Sequence, residues 1–224
     1  MTAAVVFDLD GVLLDSEQVW NEAKKELVRE HGGTWRDEAP HDMMGMSSRE
    51  WSAYLHDELG VDLDPGAISD AVVARLEEIY RERLPLLDGA AEAVERLAAH
   101  WPLGLASSSN REIIDLFLEL SGLGRFFKVT LSSEEVPRGK PYPDVYREAA
   151  HRLAAEPADC VAVEDSSNGI KAARAAGMAV IALPNPHYPP GDEELSGADV
   201  QIDSLHELTA ELVERAHAGR RSRG

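Results

Sequence analysis

The sequence predicts an α/β protein: a parallel sheet layered between helices, with an all-helical segment inserted behind its first strand. Three observations predict this. Residues 3–7 (AAVVF) form a short apolar, β-branched run that ends in a glycine-punctuated turn, DLDG. Residues 15–84 carry helical periodicity and no convincing strand. From residue 85 onward, short apolar runs alternate with helical stripes, the pattern of right-handed βαβ units.

In chain order, Ser16 is placed to cap a first helix whose Val19, Trp20, Ala23 and Leu27 make one stripe; HGG at 31–33 ends it. Ser47 and Glu50 fit a capping box that opens a second helix, with Trp51, Tyr54, Leu55 and Leu59 inward. Asp64 and Pro65 start a third, with Ile68, Val72, Leu76 and Ile79 inward. Beyond it the pattern predicts a helix at 89–99, a strand at 102–107 and a helix capped by Asn110. A strand at 126–131, a helix opening near Asp144 and a strand at 159–163 follow. A helix stopped by Gly177, a strand at 178–183 and a last helix near 204–215 complete the pattern. The tail AHAGRRSRG, with Arg215 just before it and Arg220, Arg221 and Arg223 within it, has little that could pack and is expected to fray into solvent. The change of texture divides the chain into a core, 1–14 and 85–224, and a helical cap, 15–84.

The 224 residues suffice for one large core with a smaller insertion. Forty-one acidic residues against 22 basic give a net charge of −19, which repels nucleic acid and anionic membranes. A small anionic substrate would need a locally positive pocket. No apolar run reaches the roughly 18 residues of a membrane span, and MTAAVVFD lacks the basic start of a signal peptide. Cys160 is the sole cysteine and sits at a strand start, so it is expected to be a buried core thiol. These features predict a cytoplasmic, monomeric protein with neither nucleic acid nor membrane as partner.

Each predicted strand runs into polar residues. The first reaches Asp8 and Asp10; the second reaches Ser107, Ser108, Ser109 and Asn110; that at 159–163 reaches Glu164 and Asp165; and Lys140 lies in RGKPYPD before it. In a parallel sheet these ends share one edge, so residues far apart in sequence can converge there. Two carboxylates at i and i+2 past a buried strand repel each other unless a cation joins them. Phosphoryl transfer suits the whole set: a carboxylate attacks phosphorus, Mg²⁺ neutralises phosphate charge, and a hydroxyl and an ammonium hold its oxygens. Each residue also has a plainer reading. Lys140 could be a solvated loop lysine, the serines a helix cap, and Glu164 and Asp165 turn residues.

DLDGVLLDSE, ASSSN, GKPYPDVY and VAVEDSSNGIKAARAAGM together resemble the four motifs of the haloacid dehalogenase superfamily, over residue 4 to about 210. The branch resembled is the phosphatase and β-phosphoglucomutase-like one with a helical cap after the first motif. The resemblance implies a Rossmann-like three-layer core and a Mg²⁺-dependent phosphomonoester hydrolase acting on a small phosphorylated metabolite. It implies Asp8 as nucleophile and Asp10 as general acid/base. The metal would be held by the Asp8 and Asp165 carboxylates and the Asp10 backbone carbonyl, with Glu164 in support. Lys140 would pair with nucleophile and phosphate, Ser107 would bind phosphate with Ser108 and Asn110 close by, and Leu9 and Gly11 would offer backbone contacts. A sugar phosphomutase, or a non-catalytic binding protein on the same fold, are the alternatives.

The cap would choose the substrate. Many members of the branch have a histidine about ten residues after the first motif; here Trp20 stands at that position, either packing the cap or facing substrate. Arg49, in MMGMSSREW, is the expected cation for a second phosphate or carboxylate, or else a solvated first-turn residue. Met43, Met44 and Met46 could line or fill the cleft between cap and core.

Overall fold

The computed structural model describes residues 1–43, 46–185 and 189–221. Six strands, β1 (Ala4–Phe7), β2 (Leu103–Ser107), β3 (Phe127–Ser132), β4 (Cys160–Glu164), β5 (Ala179–Ala182) and β6 (Val200–Gln201), form one parallel sheet. Their order is β3-β2-β1-β4-β5-β6. β1 is therefore central, with Val5 opposite Leu103 on one side and Val161 on the other. The strand order reverses between β1 and β4, and in such sheets the crevice at the strand ends of the reversal is the binding site.

Between β1 and β2 lie α1 (Glu17–Glu30), α2 (Ala39–Asp42), α3 (Ser48–Asp57), α4 (Pro65–Glu82) and α5 (Ala90–Ala98). The later helices are α6 (Arg111–Ser121), α7 (Asp144–Arg152), α8 (Ser167–Ala176), α9 (Asp192–Gly197) and α10 (Ala210–Arg221). β1 is apolar without a break because helices cover both faces of the sheet. Ala4 and Val6 pack with Tyr146 and Ala149 of α7 and Ile170 of α8. Val5 and Phe7 belong to a cluster on the opposite face with Leu97 of α5, Phe117 of α6 and Val213 of α10. That second cluster continues into Trp20, Trp51, Leu55 and Leu76, so the helices after β1 share apolar packing with the sheet. α4 packs against α1 and α3, and also against α6.

Several local expectations change in the folded chain. Ser47 and Glu50 do form the capping box of α3, and Asp64 caps α4 through Ala67 N. Ser16 and Asn110 occupy N-cap positions, but their side chains bond elsewhere. Ile79 faces solvent and Tyr80 is buried, because the inward row of α4 steps by four from Ile68 to Val72, Leu76 and Tyr80. The residues from 204 form a single tight turn, Leu205–Glu207, and the last helix starts at Ala210. The predicted frayed end is helical to Arg221: Ala216 and His217 are buried, and His217 Nε2 lies 3.2 Å from Ala158 O. Met44 and Arg223 fall outside the described residues.

Candidate active site

β1 delivers Asp8 to the centre of the sheet edge, where Asp8 N still donates to Val163 O of β4 at 3.0 Å. The chain then folds back sharply: Leu13 N and Leu14 N both donate to Leu9 O, and Gly11 N to Leu14 O. Gly11 adopts φ +78°, and a Cβ there would overlap the Asp165 carboxylate. This loop brings the first and last acidic motifs into contact. Leu9 is buried beneath it.

Lys140 ties the site together. Its ammonium is buried and donates at 2.6 Å to both Asp8 Oδ1 and Glu164 Oε1. Glu164 is fully buried; it also accepts from Tyr146 OH on Oε1, and from Asp165 N and Ser166 Oγ on Oε2. Carboxylate oxygens of Asp8, Glu164 and Asp165 lie within 4.8 Å of one another. Three buried carboxylates beside one ammonium leave two negative charges to be met, which a divalent cation with oxygen ligands would supply. Desolvation by burial pushes Asp8 well above the usual carboxylate range, outweighing the attraction of Lys140. Burial acts likewise on Asp165, with Asp8 and Glu164 adding repulsion. For Lys140 the balance is reversed: the pull of Asp8 and Glu164 exceeds the burial penalty and raises its pKa.

The Asp10 carboxylate is held separately. Ser16 Oγ at 2.5 Å and Trp20 Nε1 at 3.0 Å donate to Oδ1; Ser109 Oγ at 2.5 Å and Ser107 Oγ at 3.5 Å reach Oδ2. The Trp20 ring packs edge-on to Trp51 at 5.9 Å, as the packing reading expects, and its N–H engages Asp10, a role that neither reading named. Ser107 Oγ also accepts from Ser109 N.

The cavity above Asp8 and Asp10 is lined by Lys140, Asp165, Ser108 and Ser109 on the sheet side, and by Glu17, Trp20, Asn21, Lys24, Met43, Met46 and Trp51 on the helical side. Arg49 and Asn110 are not brought to it, and Ser107 lies fully buried beneath its wall, its Oγ engaged with Asp10 and Ser109 N. Arg49 is exposed in the first turn of α3 and lines a separate groove with Glu50, Glu134 and Tyr142. Asn110 Nδ2 bonds Ser69 Oγ of α4 and Glu134 Oε1, both at 3.1 Å, and Ser48 Oγ donates to the same Glu134 oxygen. Those polar links occupy Asn110 and set the start of α3, with Arg49, on the outer side.

Glu17, Lys24 and Tyr146 were not singled out from sequence; Ser16 was expected only as a helix cap, and Ser109 only as one of the polar residues at a strand end. Burial raises the Glu17 pKa to about 7 and lowers that of Lys24 to about 8. The signal available was spacing: Glu17, Trp20 and Lys24 stand at i, i+3 and i+7 on one helical face.

Residues 2–177 match the model of the haloacid dehalogenase-like hydrolases. The chain belongs to this family. Hexitol phosphatase B of Escherichia coli strain K12 is 34% identical over 220 residues, covering 92% of this chain and 94% of that one. The crystal structure of CbbY from Rhodobacter sphaeroides in complex with phosphate superposes with a TM-score of 0.85 at 28% identity, covering 96% of this chain and 100% of that one. β-Phosphoglucomutase from Clostridium difficile shares the haloacid dehalogenase-like fold, with a TM-score of 0.85 at 22% identity, over 99% and 100% of the two chains.

Proposed function

We propose that this haloacid dehalogenase-like hydrolase is a Mg²⁺-dependent phosphatase that cleaves small phosphomonoesters through an aspartyl-phosphate on Asp8. The observation that carries the reading is Lys140 bridging Asp8 and Glu164 inside a buried acidic trio, with Asp10 held two residues from Asp8. Named relatives that are phosphatases of small phosphorylated compounds, hexitol phosphatase B among them, support the same class.

Asp8, Asp165 and the Asp10 backbone carbonyl are the proposed holders of Mg²⁺, with Glu164 behind them. Bound there, the cation would keep Asp8 ionised against its burial and neutralise phosphate charge. The Asp8 carboxylate attacks phosphorus, and Asp10 gives a proton to the leaving alcohol. Asp10 then takes a proton from water, which hydrolyses the acyl phosphate. Lys140 holds Asp8 in line and meets charge on the transferring group, with Ser107 and the Leu9–Gly11 backbone as further phosphate contacts. The proposed division into a core, 1–14 and 85–224, and a cap, 15–84, lets the cap close over the cleft and exclude bulk water. A lone thiol buried at Cys160, with its pKa pushed up to about 12, fits a cytoplasmic protein, and strong net charge fits a monomer.

The test is phosphate release from a panel of sugar, polyol and aryl phosphates with Mg²⁺ and with chelator. Turnover should require the metal and fall at least about 1,000-fold in Asp8→Asn. An inactive wild type, or an Asp8→Asn that keeps its activity, would sink the reading. An isomerised sugar phosphate in place of free phosphate would turn it into a phosphomutase.

A further inference from the structure

Along α1, Glu17, Trp20, Asn21 and Lys24 fall at i, i+3, i+4 and i+7, and all four line the cavity over Asp8 and Asp10. Lys24 is the unusual member. It is only 6% exposed, and its Nζ lies 5.0 Å from the Trp20 ring centroid and 4.9 Å from that of Trp51. Among the described residues no carboxylate oxygen comes within the 4.0 Å of an ion pair with it. The other cavity lysine, Lys140, is committed to Asp8 and Glu164. A lysine kept dry between two aromatic rings, with no carboxylate in contact, is costly unless something entering the cavity accepts a hydrogen bond from it.

We infer that Lys24 is the specificity-determining residue for the leaving group, donating to an oxygen of a hydroxyl-rich, uncharged alcohol. The assignment deepens the phosphatase reading and rests on it. The charge around the cavity selects the uncharged class. A second anionic group on the substrate would meet Glu17, Asp10 and Asp165 on the same walls. A hydroxyl can accept from Lys24 and donate to Glu17, while the Trp20 and Trp51 rings suit C–H groups. Burial lowers the Lys24 pKa to about 8, with Glu17 and Asp10 opposing the shift, and charged or neutral the amine keeps N–H donors.

Lys24→Met keeps an apolar stem between the two rings and removes the donor. Phosphate release with Mg²⁺ is compared for a hexitol monophosphate, a hexose bisphosphate and phenyl phosphate, whose leaving group has no further oxygen. The wild type should prefer the hexitol monophosphate to the bisphosphate. In the variant, kcat/KM for the hexitol monophosphate should fall about 10- to 100-fold, through KM, while phenyl phosphate changes less than about threefold. Equal losses with both substrates, or a loss with neither, would overturn the assignment. So would a wild type that favours the bisphosphate. If Lys24→Met does not melt as a folded protein, Lys24→Gln is held to the same comparison. A wild type inactive on all three would remove the phosphatase reading itself, and this assignment with it.

Discussion

Trp20 combines packing with a hydrogen bond to the candidate acid/base. Its ring is part of the α1 apolar stripe, yet its N–H is one of four donors on the Asp10 carboxylate. Trp20→Phe keeps most of the packing and removes the donor. Since Ser16 still engages the same oxygen, kcat should fall about tenfold with little change in stability, as read by steady-state kinetics and thermal melting. Tyr146 plays the corresponding part for Glu164: its hydroxyl is buried and donates to the oxygen that Lys140 also holds. Tyr146→Phe should cost about 1 kcal/mol in denaturant unfolding. Both residues lie outside the four sequence motifs' acidic and basic positions, and both act by fixing one of them.

At the scale of elements, the loop after β1 and the start of α8 are built around close approaches to carboxylates. Ser166 caps α8 by accepting from Gly169 N, and a Cβ on Gly169 would overlap the Glu164 carboxylate. Gly169→Ala must therefore displace Glu164, and with it the partner of Lys140. The expected cost is about 2 kcal/mol, a fall in melting temperature of about 4–8 °C, with weakened Mg²⁺ binding by titration calorimetry. An unchanged melting temperature would mean that α8 can shift without disturbing the acidic trio. Elsewhere the elements follow their sequence signals closely where those signals are local. Pro65 behind Asp64, and Gly177 at φ +100°, start and stop helices through backbone constraints that need no tertiary partner. β6 and α9 carried no such signal: β6 has two residues, and α9 buries none of its residues.

Across the whole molecule, stability and metal binding should be linked through pH. Asp8 and Asp165 have folded pKa values raised above their ordinary value of 3.8 by burial. Their protonated forms suit the dry site, so in metal-free protein their contribution favours folding below about pH 3.8 and is lost as pH rises through the raised values. Mg²⁺ held there as proposed would favour the ionised forms and reverse this loss. The rise in melting temperature on adding Mg²⁺ should therefore be small in acid and grow toward neutral pH. A metal effect that is constant with pH would show that these carboxyls do not carry it. Among the described residues no helix is long and apolar enough to cross a membrane.

The sequence by itself determined the α/β class, the helical insertion and the polar residues at the strand ends. Each follows from local periodicity or from residue types grouped within a few positions. Asp8, Asp10, Glu164 and Asp165 were legible because a parallel sheet must bring its strand ends to one edge, whereas Lys140, in a loop, was pointed to by the family resemblance. Only the tertiary structure decided which face of the inserted helices meets that edge. Arg49 and Lys24 are both cations on amphipathic helices; spacing puts Lys24 on the Trp20 face but does not say which helix meets the sheet edge. Links among Ser48, Ser69, Asn110 and Glu134 leave Arg49 on the outside, while packing of Trp20 on Trp51 carries Lys24 inside. A carboxylate motif is set by the chain around it, whereas the burial of a lysine is set by contacts between segments distant in sequence.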